Sequence, residues 1–91
     1  MNNKIILESL SMDLKRVAIG YHRGSIKMAE RFLEEAFKRE KEIDRSTLKP
    51  YMVNILNQME SSLNKEDKSV VSETSLLMST LVQNYTQTFL K

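Results

Sequence analysis

Apolar residues return every three or four positions along most of this 91-residue chain, which is the spacing of one face of an α-helix. Leu7, Leu10, Leu14 and Val17 predict a first helix over about 3–19. The same rhythm runs on through Tyr21, Gly24 and Met28, so the pattern alone fits one long helix as well as two. An interior glycine costs about 1 kcal/mol relative to alanine, which favours a break or kink at Gly20–Gly24. The opposing consideration is the four-residue spacing of the two glycines, which would let another helix approach closely.

Ile26, Ala29, Leu33, Ala36, Phe37 and Ile43 share one side of a second helix, with Met28 and Phe32 at its edge. Glu34–Lys38 and Glu35–Arg39 support it as acid-then-base pairs one turn apart. Asp44-Arg45-Ser46-Thr47 is cap and turn chemistry and ends it near Ile43. A third helix is expected from about Leu48, capped by Ser46 or Thr47, with Pro50 inside its first turn. Its stripe is Leu48, Tyr51, Met52, Ile55, Leu56, Met59 and Leu63. After the polar connection 64–68, Asp67 or Ser69 caps a fourth helix with apolar positions Val70, Leu77, Met78, Leu81, Val82, Tyr85, Phe89 and Leu90. The expectation is an all-α fold, a small antiparallel bundle of three to four helices forming a single helical-bundle domain over 1–91. Leu33, Phe37, Ile55, Met59, Leu77 and Leu81 are expected near the centre of its core.

Composition supports this reading and narrows the chemistry. Two glycines and one proline leave few turns for a strand-rich fold. With no cysteine there is neither a disulfide nor a thiolate site, and a single histidine makes a zinc site improbable. No cofactor, metal or small-molecule substrate is expected: phosphate-loop, dinucleotide, metalloprotease and calcium-loop motifs are all missing from the sequence. No apolar stretch is long enough to span a bilayer, and the first residues do not have the pattern of a signal peptide. The expected location is therefore cytoplasmic, with no membrane partner.

Two local biases remain, and any function should use them. The first is basic: Lys15, Arg16, Arg23, Lys27 and Arg31 face one acid, Glu30, over the same stretch, although the net charge of the chain is only +2. A row of cations on a helix can track a polyanion, so Lys15, Arg16, His22, Arg23, Lys27 and Arg31 form a candidate surface for nucleic acid or an acidic protein. The competing reading is a solvated face balanced by Glu30, Glu34 and Glu35. Arg16 and His22 also make an R-x5-H spacing, which resembles the R-x4–6-H signature of HEPN-type ribonucleases, small four-helix proteins in which a paired Arg and His act on RNA across a dimer interface. That signature usually lies in a late helix, whereas here it falls at the first junction.

The second bias is the fourth helix, which carries no charge from Thr74 to Leu90. Helices facing free solvent normally hold Lys and Glu, so this one is expected to be shielded on more than one side. Ser75, Ser79, Gln83 and Thr86 are the candidate self-association residues, because small hydroxyls allow close approach and amides can satisfy each other across a two-fold axis. The leading expectation is a non-catalytic interaction module that forms a homodimer. A nucleic-acid-binding accessory protein is the alternative, and a HEPN-like ribonuclease the third reading.

Overall fold

The computed structural model describes residues 2–90. They form four α-helices, α1 (Asn3–His22), α2 (Ile26–Glu42), α3 (Pro50–Leu63) and α4 (Lys68–Phe89), with one 3-10 turn at Arg45–Thr47. α1 is the central member, packed between α2 on one flank and α4 on the other, and α3 lies against α4. Paired contacts run in opposite directions along each seam, so the neighbours are antiparallel: Ser11 meets Ser79 while Ala18 meets Ser72, and Asp13 meets Arg39 while Gly20 meets Ala29.

The chain breaks between α1 and α2, and the two glycines divide the two roles suggested by their spacing. Gly24 makes the turn. Its φ of +78° is a left-handed conformation that side chains disfavour. The Gly24 N–H donates to Tyr21 O (3.2 Å) and the Ser25 N–H to Gly20 O (2.8 Å), which together satisfy the last carbonyls of α1. Gly20 makes the close approach. A Cβ placed there would sit 2.9 Å from Ala29 Cβ and 3.1 Å from the Ala29 backbone.

The α2–α3 junction differs from the expected one. Asp44 caps the 3-10 turn, accepting from the Ser46 N–H (3.0 Å) and the Ser46 hydroxyl (2.7 Å). α3 then starts at Pro50, two residues later than predicted, because proline at the first helical position loses no hydrogen bond. Asn3, at the start of α1, clasps this junction by donating to Asp44 O (2.7 Å) and accepting from the Asp44 N–H (3.0 Å). The Ser46 hydroxyl, and then its N–H, hold the Asp44 carboxyl below its ordinary value. This cap therefore stabilises the fold above that ordinary value and loses its effect as pH falls toward the lowered one. Asp67 caps α4 as expected, accepting from Ser69 N (2.9 Å).

The core is built from Leu7, Leu10, Leu14 and Val17 of α1, Ala36 of α2, Met52, Leu56, Met59 and Leu63 of α3, and Val71, Met78, Val82 and Tyr85 of α4. Of the six residues expected at its centre, only Met59 is fully enclosed. Leu33, Phe37 and Ile55 pack against the core from its edge, while Leu77 and Leu81 are exposed. α4 is rotated relative to the prediction, and the reason lies in its serines, described below.

Two stability measurements follow. Leu10→Ala and Leu56→Ala should each cost about 2–5 kcal/mol in denaturant melts, while Leu77→Ala should change stability by less than about 1 kcal/mol. Gly20→Ala reverses the usual sign for a helix interior: alanine would ordinarily gain about 1 kcal/mol, but the rigid Ala29 neighbour should turn this into a loss of about 1–3 kcal/mol.

Candidate functional site

Short side chains set how near α4 comes to α1. The Ser11 hydroxyl donates to Ser79 O (2.9 Å) and the Ser79 hydroxyl to Ser11 O (2.8 Å), a reciprocal pair in which each side chain reaches the other helix's backbone. One end of the same seam repeats the contact, with the Ser72 hydroxyl donating to Ala18 O (3.1 Å). Such bonds form only when two backbones lie within reach of a single Cβ–Oγ arm. Ser75 sits between them, fully buried, and its hydroxyl has no hydrogen-bond partner. Thr86 is buried too, its hydroxyl bonded within α4 to Gln83 O (2.8 Å).

Three of the four candidate self-association residues are thus used inside the chain. Ser75, Ser79 and Thr86 face α1 and are enclosed, and only Gln83 is exposed. With its serines turned inward, α4 presents a different face to solvent. Leu76, Leu77 and Leu81 are 51%, 59% and 36% exposed, among Val70, Thr80, Asn84, Gln87 and Thr88. Between Val70 and Leu90 the only charged residue is Glu73. Sequence reasoning merged two stripes here. Val71, Met78, Val82 and Tyr85 belong to the core, whereas Val70, Leu77 and Leu81 are exposed on a stripe about a quarter-turn away.

An aromatic group continues this surface at the C-terminal end of α4. The rings of Tyr51, Tyr85 and Phe89 lie 5.0–6.4 Å apart between centroids, tilted or edge-on. The Tyr85 hydroxyl accepts from Lys49 N (3.0 Å) at the start of α3, and the Lys49 ammonium lies 5.4 Å from the Phe89 ring centre. Tyr51 and Phe89 remain about half exposed. On the other flank of α4, a groove of about 620 Å³ runs along the α1 seam, rimmed by Met12, Lys15, Gln83 and Gln87 above the Ser11–Ser79 pair.

The basic segment does not assemble into one patch. Lys15 lines the α1–α4 groove, while Arg16 turns toward α2, where its guanidinium lies 5.3 Å from the Phe32 ring centre and 3.8 Å from Asp13. Asp13 is buried and takes its main partner from α2, Arg39, with Nε 2.5 Å from Oδ2, so part of the local charge joins two helices. His22 borders a separate recess with Tyr21, Lys68, Ser69, Ser72 and Glu73. Arg16 and His22 therefore point to different neighbours, consistent with six residues placing them about 120° apart around a helix. Arg23, Lys27 and Arg31 stay exposed across the turn and along the outer side of α2, interleaved with Glu30 and Glu34. Among the described residues no group of three or more His, Cys, Asp or Glu could hold a metal ion, and no helix is long and apolar enough to cross a membrane.

The serine seam makes a paired prediction. Ser79→Ala removes a hydroxyl from the reciprocal pair and should cost about 1–3 kcal/mol in thermal or denaturant melts. Ser75→Ala removes a buried hydroxyl that has no partner and should be neutral or stabilising by about 1 kcal/mol. Equal losses at both positions would mean that the two hydroxyls are alike in their bonding. No protein-family model, curated protein or solved structure matches this chain, so its function is read from the geometry of these surfaces.

Proposed function

We propose that this protein is a non-catalytic interaction module that self-associates through the outward face of α4. The observation that carries this reading is the exposure of Leu76, Leu77 and Leu81 on a helix whose only charge between Val70 and Leu90 is Glu73. Isolated exposed leucines are ordinary. Three on one helix, among Thr, Asn and Gln, leave nothing to repel a second copy and supply apolar area whose burial is favourable at about 25 cal/mol per Å². The interface is thus carried by leucines, with Gln83 left on the α1 flank, while Ser79 bonds α4 to α1 on the far side and Ser75 and Thr86 lie enclosed there.

A nucleic-acid reading has less to stand on. Lys15 and Arg16 diverge from Arg23, Lys27 and Arg31, and the three that remain together alternate with acids. The ribonuclease reading would need Arg16 and His22 in one cleft, and each has a separate set of neighbours.

Light scattering at high chain concentration should report a dimer. Leu77→Glu and Leu81→Lys, made singly, should each shift it to monomer while helical circular dichroism stays unchanged, because both side chains lie outside the core. A wild-type monomer under those conditions would rule the proposal out.

A further inference from the structure

The outward face of α4 has an internal order that specifies how a second copy would lie on it. Val70, Thr74, Leu77, Leu81, Asn84 and Thr88 follow one another at spacings of 4, 3, 4, 3 and 4 residues, the seam of a two-stranded coiled coil. All of them except the half-buried Thr74 are exposed, and the intervening Val71, Met78 and Tyr85 are in the core. A 4-3-4-3-4 series reads the same from either end. Laid antiparallel on itself, it sets Leu77 against Leu81 of the second copy, Thr74 against Asn84 and Val70 against Thr88, each pair occurring twice about one two-fold axis.

We infer that two copies of this chain pair through α4 in the antiparallel sense, with Leu77 of each packed on Leu81 of the other. This rests on the self-association proposed above and adds its orientation and register. Charge distribution selects the direction. The charged residues of α4 and its cap, Asp67, Lys68 and Glu73, all lie in its N-terminal third. Parallel pairing would bring the two Asp67 carboxylates together, and the two positive helix N-termini with them. Antiparallel pairing lays each charged third against the uncharged C-terminal third, so that every helix N-terminus meets a C-terminus. In this register Glu73 comes beside Gln87 of the second copy, whose amide can donate to the carboxylate, and Val70 comes beside the exposed edge of Phe89 and Tyr51.

The available area suits a dimer of this kind. α4 has 22 residues and is therefore about 33 Å long, and a strip about 10 Å wide along it can be covered on each copy. With Tyr51 and Phe89 at its end, the contact would bury roughly 1,000–1,200 Å² in total, the lower limit for a specific pair. The axis passes midway between the Leu77 and Leu81 levels, so the two leucine contacts lie symmetrically on either side of it.

Because the chain has no cysteine, introduced thiols report the geometry directly. Leu77→Cys and Leu81→Cys proteins are oxidised mildly, each alone and mixed, and followed on non-reducing gels. In the antiparallel register two copies of position 77 are offset by about 6 Å along the axis in addition to the helix separation, outside the Cα window of about 4.4–6.8 Å for a disulfide. The mixture should therefore cross-link at least about tenfold faster than either protein alone. Val70→Cys mixed with Thr88→Cys should give the same result without altering the leucines. If Leu77→Cys cross-links with itself as fast as in the mixture, the antiparallel pairing is overturned while self-association stands. If the wild-type chain dimerises but none of these pairs cross-links, α4 is not the interface. A wild-type monomer by light scattering would overturn both the pairing and the proposed function.

Discussion

The structure depends on how close short side chains allow other helices to come to α1. On one flank Gly20 gives way to Ala29 of α2, where even a methyl group would collide. On the other, Ser11 and Ala18 offer carbonyls within reach of Ser79 and Ser72 hydroxyls. A helix gripped on both sides in this way has little rotational freedom. Its neighbours inherit that constraint, and α4 in particular can rotate only by breaking the reciprocal Ser11–Ser79 pair. Those bonds lie in the interior, where an unmade hydrogen bond costs about 1–3 kcal/mol.

The unusual surface of α4 is a consequence of this fit. A helix with leucines on one side and serines on the other would ordinarily bury the leucines. Here the leucines are outside: short side chains, Ser72, Ser75, Ser79 and Thr86, line the side toward α1, while Val71, Met78, Val82 and Tyr85 fill the adjoining core. Tyr85 secures this orientation from the α3 side by accepting the Lys49 N–H. These contacts from both sides fix the orientation in which α4 presents its outward stripe.

Much of this was legible along the chain, and what was missed has a common cause. The all-α bundle follows from the spacing of apolar residues, and of the alternatives the chain left open the structure takes the break at Gly20–Gly24 and the cap at Asp67. The start of α3 was misplaced because Asp44 spends its cap on a separate 3-10 turn, a choice fixed by Asn3 from the far end of α1. The core face of α4 was misjudged because hydrophobicity ranks leucine above serine, whereas shape against α1 decides which side is enclosed. The basic segment looked like a patch because residues were counted in a line. A helix turns each successive side chain by about 100°, which sends Lys15 and Arg16 to opposite flanks of α1. The Asp13–Arg39 pair, 26 positions apart, had no local signature.

The energetics indicate what kind of association the α4 surface can sustain. Fully burying a leucine contributes about 1.5–3 kcal/mol, and the Leu77–Leu81 contact made twice uses four side chains that are already partly covered. They supply on the order of 4 kcal/mol, which only reaches the lower edge of the roughly 4–15 kcal/mol lost when two bodies become one. In the proposed pair the leucines would fix the register but would not by themselves give a stable dimer. The remainder in that pair would come from the ends of the stripe, where Val70 would meet the Phe89 and Tyr51 of the second copy, both half-exposed. Aromatic side chains bury the most area for the fewest ordered torsions, which is why they dominate small interfaces. Two copies joined this way would separate and rejoin readily, with occupancy set by concentration, and the Tyr51–Phe89 edge would decide affinity as the leucines decide direction.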